Sequence, residues 1–175
     1  MLNRNFTQNN REQEESLKRL ENAINQIFNK QSSKLSYDEL YHAVYILVIN
    51  RQQEQLYNET KLFLENNIKM KIKGFSIICQ EKILHELLSL WREVNEMFVG
   101  IKSIYLFLNK NYIASKKLPT LLFISRNLFS KYFLNESGDL YEKLMNEMMD
   151  SFRKDRNNEI IDKVSLLGIS SMMVI

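Results

Sequence analysis

Proline occurs once in 175 residues and glycine four times. So few chain breakers exclude a turn-rich β architecture, because hairpins and tight corners draw on those two residues. Cysteine also occurs once, at Cys79. A disulfide framework within one chain is therefore excluded, which fits a reducing compartment, and Cys79 reads as a small core hydrophobe. No window offers about 18 uninterrupted apolar residues, as a membrane-spanning helix needs. The longest candidate, "LPTLLFISRNLFSKYFL", is broken by Arg126 and Lys131. No apolar core of signal-peptide length follows the start, "MLNRNFTQNNREQEE". Cytoplasm or nucleus is the expected location. Charge of one sign is lacking too: the net is +3, spread along the chain, so nucleic-acid binding does not follow from it.

Catalytic groups are as sparse. His42 and His85 fall on different expected helices, and neither has a second His or Cys at metal-ligand spacing. Both read as surface residues. Gly-rich phosphate loops, GxSxG and HExxH are absent. Cys79 lies in an apolar stretch that would raise its thiol pKa, so it makes no nucleophile pair with His85. No enzyme activity, cofactor or metal is expected.

Hydrophobic residues are abundant, at 45%. Their spacing is helical throughout. A polar, flexible tail is expected over 1–13 and a helix over about 14–30, with Leu17, Leu20, Ile24, Ile27 and Phe28 on one face. Ser36 is placed to cap the next helix, with Glu39 at the capping-box position. A third helix fits about 53–72, with Leu56, Leu62, Phe63, Ile68 and Ile72 inward and Gly74 as its stop. Residues 75–113 read as two helices with "REVNE" between them. Pro119 fits the first turn of a helix running to about 134, through Leu122, Leu128, Phe129 and Phe133. Another covers about 139–156, with Leu140, Leu144, Met148 and Phe152, and a last one starts near 163. The fold class is all-α, an elongated antiparallel bundle of seven or eight helices. The apolar ending "SSMMVI" has no cap, as expected of a boundary inside a longer protein.

The segment "SYDELYHAVYILV", residues 36–48, carries the most information. On a helical wheel Leu40, Val44, Leu47 and Val48 form an aliphatic stripe, while Tyr37, Tyr41 and Tyr45 recur at i, i+4, i+8 along its flank, beside Asp38. Aromatics with polar tips at the edge of a packing face suit a protein-recognition anchor. Periodicity alone leans towards a second reading, in which the tyrosines simply roof the core. Phe107 lies about 120° from the centre of the Met97–Ile101–Leu108 stripe, on the side of Gly100, Ser103, Lys110 and Asn111. A large ring among small and polar neighbours should be exposed unless something covers it.

Three blocks together resemble the N-terminal region of cullins. The first is "LENAINQIF" (20–28) followed by "SYDELYHAVYILV" and "QLYNETKLFLENNI". The second is "LWREVNEMFVGIKSIYLFLNKNYI" (90–113), which resembles a Trp followed by "MIxxIxxYLDRxYV" through Met97, Ile101, Ile104, Phe107, Leu108, Tyr112 and Ile113. The third, at 144–174, resembles a "GExxDR" segment through Arg156, Glu159, Asp162 and Lys163. Asn109–Lys110 replaces Asp-Arg, Asn158 replaces Gly, and Lys163 replaces Arg. The resemblance implies a stack of five-helix cullin repeats, with the first at 14–114 and the start of a second at 115–175. It implies a scaffold of cullin-RING ubiquitin ligases, non-catalytic, whose first repeat binds a substrate adaptor through its second and fifth helices. Adaptor-contacting positions fall on Ser36, Tyr37, Asp38, Tyr41, Tyr45 and Phe107. The adaptor class is open: "SYDELY" and Tyr45 resemble BTB-binding cullins, "IKSIYLFLNKNYI" and "KLPT" resemble cullins that bind a damaged-DNA-binding-type β-propeller, and the fold shared by BTB and Skp-type adaptors is weakly favoured. A RING-box protein would bind a separate C-terminal domain. An unrelated α-solenoid of a tethering or transport complex is the main rival. A basic helical nucleic-acid binder, suggested by Lys69, Lys71, Lys73 and Lys116–Lys117, is the second.

Overall fold

The computed structural model describes the backbone of residues 2–78, 83–136 and 139–173, and the side chains of 11–76, 83–135 and 139–172. Cys79 lies outside the described residues. Among these residues there is no strand. Eight helices follow one another: α1 (Leu2–Phe28), α2 (Tyr37–Ile49), α3 (Gln53–Ile78), α4 (Ile83–Ile104), α5, α6 (Leu121–Glu136), α7 (Asp139–Arg156) and α8 (Lys163–Met173). The fifth, α5, joins Leu106–Leu108, a π-helical turn at Asn109–Ile113, and Ala114–Lys116. The all-α reading therefore holds.

The first helix is longer than its apolar face. It starts at Leu2 rather than near residue 14, so the polar stretch expected as a tail continues the same helix. That stretch contains no Gly or Pro, and extending a formed helix costs far less than nucleating one. Its expected core face is correct: Leu17, Leu20, Ile24, Ile27 and Phe28 are all buried.

Among the described residues, four helix ends are made without glycine. Lys30, Arg51, Lys117 and Asn158 all have positive φ, between 54° and 62°. After each, the next N–H bonds back to a carbonyl five residues earlier: Gln31 to Gln26, Gln52 to Leu47, Leu118 to Ile113 and Glu159 to Lys154, at 2.8–3.0 Å. This is the Schellman closure, usually built around Gly because a Cβ is strained there. Gly74, in contrast, sits inside α3 and stops nothing. A Cβ built on it meets no atom within 4 Å. Gly74→Ala should therefore stabilise the protein by about 0.5–1 kcal/mol, read by chemical denaturation.

Other boundaries also move. "REVNE" is the middle of α4, and the break falls instead at Tyr105, with φ −91° and ψ 18°. Pro119 precedes α6 rather than entering it: Thr120 caps that helix, its Oγ1 accepting from Phe123 N–H at 3.2 Å. Leu62 is 57% exposed and Phe152 is exposed as well, while Leu64, Thr60 and Asn67 take the inward positions of α3.

The chain divides into two compact units, Met1–Asn67 with Met97–Ile124, and Ile68–Glu96 with Ser125–Ile175. The boundaries fall inside α3, α4 and α6. In the first unit, α1 packs on α2 and α2 on α5. Phe28 and Phe98 meet in its core at 6.2 Å, and Tyr57 Oη donates to the Pro119 carbonyl at 2.9 Å. In the second, Trp91 lies 5.1 Å from Phe129, and Arg126 donates twice to Asn95 Oδ1.

The third sequence block gains a physical account in the second unit. Asn158 supplies the positive φ that ends α7. Asp162 caps α8: its Oδ1 accepts from Ser165 N–H at 3.0 Å and its Oδ2 from the Ser165 hydroxyl at 2.6 Å. Lys163 pairs with Asp155 at 3.1 Å. Those two Ser165 bonds, with His85 nearby, hold the Asp162 carboxyl below its ordinary range. The charged form is thus favoured in the folded state. Its stabilisation is complete above the ordinary carboxylate value and disappears as pH falls through the lowered one. Asp162→Asn should lower the melting temperature at neutral pH and flatten its decline below about pH 4. A decline as steep as wild type would remove this group from the acid transition.

Candidate functional site

Sequence chemistry builds α2 with two different sides. Ser36 is the N-cap, in extended conformation, and its Oγ accepts from Glu39 N–H at 3.4 Å. Asp38 and Glu39 in the first turn suit the positive end of the helix dipole. Leu40, Ala43, Val44 and Leu47 are buried, and Val48 is half-buried. The tyrosines do not roof that core: Tyr37, Tyr41 and Tyr45 remain 40%, 37% and 37% exposed. Ser36 and Asp38 are exposed beside them.

The other side of the site comes from α4 and α5. Tyr105 interrupts the helix between them and is fully buried, which raises its phenol pKa; the neighbouring Thr60 hydroxyl opposes that shift. Two residues on, Phe107 is half-buried rather than fully exposed. What covers it is Tyr45, whose ring lies 4.8 Å from that of Phe107 at an interplanar angle of 59°. This tilted geometry is a favourable aromatic contact. Tyr37 reaches the same partner at the other end of the row. Its hydroxyl lies 3.3 Å from where a Cβ on Gly100 would stand. Tyr37 with Gly100 and Tyr45 with Phe107 fix α2 as parallel to the α4–α5 strip.

Of the six expected residues, the structure joins Tyr45 to Phe107 directly and keeps the others on one helix end. Sequence reasoning missed four neighbours. His42 stacks on Tyr45, with centroids 6.2 Å apart and planes 24° apart. Ile49 is exposed and continues the row at i+12 from Tyr37. Leu106 is exposed beside Phe107. Gly100 gives Tyr37 its room. Ile49 was legible, since the four-residue spacing runs on past Val48. Gly100 was not, because its fit under Tyr37 depends on a contact between helices.

Among the described residues no group of three or more His, Cys, Asp and Glu could hold a metal ion. No described helix is long and apolar enough to cross a membrane. His42 and His85 are both exposed.

A family model described as "Cullin alpha solenoid domain" matches residues 17–175. The chain belongs to the cullin family. It is similar to Cullin-3 of Dictyostelium discoideum, 28% identical over 157 residues that cover 90% of this chain and 20% of that protein. Cullin-3A of Arabidopsis thaliana is 28% identical over 155 residues, 89% of this chain and 21% of its own length. Cullin-4 of Dictyostelium discoideum is 26% identical over 168 residues, 92% of this chain and 21% of its own. The chain spans about a fifth of the length of the curated relatives it matches. The cullin blocks read from the sequence fall on α1–α3, on α4–α5 and on α7–α8.

Proposed function

We propose that this cullin segment docks a substrate adaptor for a cullin-RING ubiquitin ligase and contributes no chemistry of its own. One observation supports this above all. An exposed tyrosine row on α2 meets Phe107 on α5, the second and fifth helices of the chain. Residues 14–114 are the first cullin repeat in this reading, and 115–175 begin the second.

The mechanism is geometric. Packed helices hold an adaptor, and the substrate it carries, at a set distance from a ubiquitin-transfer site held by a RING-box protein on a separate C-terminal domain. Affinity comes from Tyr37, Tyr41, Tyr45 and Phe107 entering adaptor pockets, with Ser36 and Asp38 at the polar rim. Such rigid aromatic anchors lose little conformational entropy on binding. The work takes place in the cytoplasm or nucleus and needs neither a membrane nor nucleic acid. Two of the five lysines that suggested a nucleic-acid binder have local partners: Lys71 pairs with Glu93 at 2.9 Å, and Lys69 lies over the Tyr132 ring.

"SYDELY" and the later Tyr45 favour a BTB-fold adaptor over the Skp-type and β-propeller classes. The test mixes the chain with purified adaptors of the three classes and reads complex formation by calorimetry. Capture of the BTB adaptor is expected. Capture of another class corrects the partner, and capture of none rejects the proposal. Salt-sensitive retention on DNA or RNA would favour the basic-binder rival instead.

A further inference from the structure

We propose that Gly100 is a positioning residue of the docking surface: its missing side chain lets the Tyr37 phenol lie across α4. This rests on the docking reading above.

Gly100 sits in the interior of α4, where glycine is worse than alanine for helix stability. No positive φ requires it there. No buried neighbour needs the space either, because the nearest atom to a Cβ built on Gly100 is the Tyr37 hydroxyl, at 3.3 Å. That approach is too tight for ordinary contact, so a methyl group would push the phenol away by a few tenths of an ångström. Tyr37 is exposed and can swing outward without disturbing the core. The sacrifice therefore protects the lie of one surface ring.

That ring is one end of a seam. At the other end Tyr45 leans on Phe107. Between these two residues of the row, Tyr41 stands exposed. The lie of Tyr37 against Gly100 and of Tyr45 against Phe107 sets the contour that the three phenols present. Lifting Tyr37 off α4 changes that contour where Ser36 and Asp38 adjoin it. A surface preorganised in this way binds more tightly than one that must be ordered on contact.

A double-mutant cycle tests this with the adaptor class that the wild-type chain captures. Gly100→Ala should raise the melting temperature and yet weaken capture roughly tenfold, a coupling within the range of residues in contact. Tyr37→Phe removes the oxygen that the methyl group meets. In that background Gly100→Ala should change capture less than about twofold, so the two substitutions are non-additive. Equal losses in both backgrounds, or no loss in the wild-type background, would overturn the proposal. Tyr41→Ala with Phe107→Ala serves as the control. If the control captures adaptor as well as wild type, the docking reading itself has failed.

Discussion

Tyr41→Ala combined with Phe107→Ala should abolish adaptor capture while leaving the helical melt close to wild type. Tyr41 stands exposed in the middle of the row, and Phe107 is half-buried beneath Tyr45. Central aromatic anchors commonly cost about 2 kcal/mol or more each on truncation. Two together correspond to roughly a thousandfold loss of affinity. On the stability side the losses are small. Tyr41 gives up contact area that is already partly in water. Phe107 gives up its tilted contact with Tyr45, worth about 1 kcal/mol. Calorimetry and a thermal melt on the same sample separate the outcomes. Unfolding of the double mutant would mean that these rings belong to the core.

Leu47→Ala should do the opposite. Leu47 is fully buried on the inward side of the same helix, on the stripe with Leu40 and Val44. Truncating a fully buried leucine costs about 2–5 kcal/mol, from lost transfer energy and the cavity left behind. Against a typical total of 5–15 kcal/mol this is a large fraction. Denaturant titration should show it as a lower midpoint with little change in slope. Capture per folded molecule should remain. A loss under about 1 kcal/mol would mean that α2 collapses onto its neighbours more readily than its packing indicates.

These opposed outcomes rest on two sides of one helix, and that division was legible before any coordinates. Residues 36–48 carry a clean period, so the tyrosine flank and the aliphatic stripe separate on a wheel. Phe107 was legible for the same reason, as a large ring out of phase with its own core stripe. The tilt of Tyr45 onto it was not, because it joins elements far apart in the chain. Nor was the break at Tyr105, which no Gly or Pro announces.

The misreadings have specific causes. Gly74 looked like a stop because glycine usually ends helices, but here Lys30, Arg51, Lys117 and Asn158 take the left-handed positions. Leu62 and Leu64 flank Phe63 in one apolar run. Only phase separates them. Measured from Leu56, Leu64 falls about 80° round the wheel, close to Tyr57 and Ile68, whereas Leu62 falls about 240° round and faces water. The polar start read as a tail because amphipathicity, not helix propagation, was the signal sought.

Hydroxyl-radical footprinting of the chain, alone and with its captured adaptor, tests the central claim most directly. Tyr37, Tyr41, Tyr45 and Phe107 should lose reactivity together when the adaptor is added. Leu62, exposed on α3, should keep its own. Undiminished labelling of the tyrosine row in a saturated complex, or protection confined to other helices, would contradict the account.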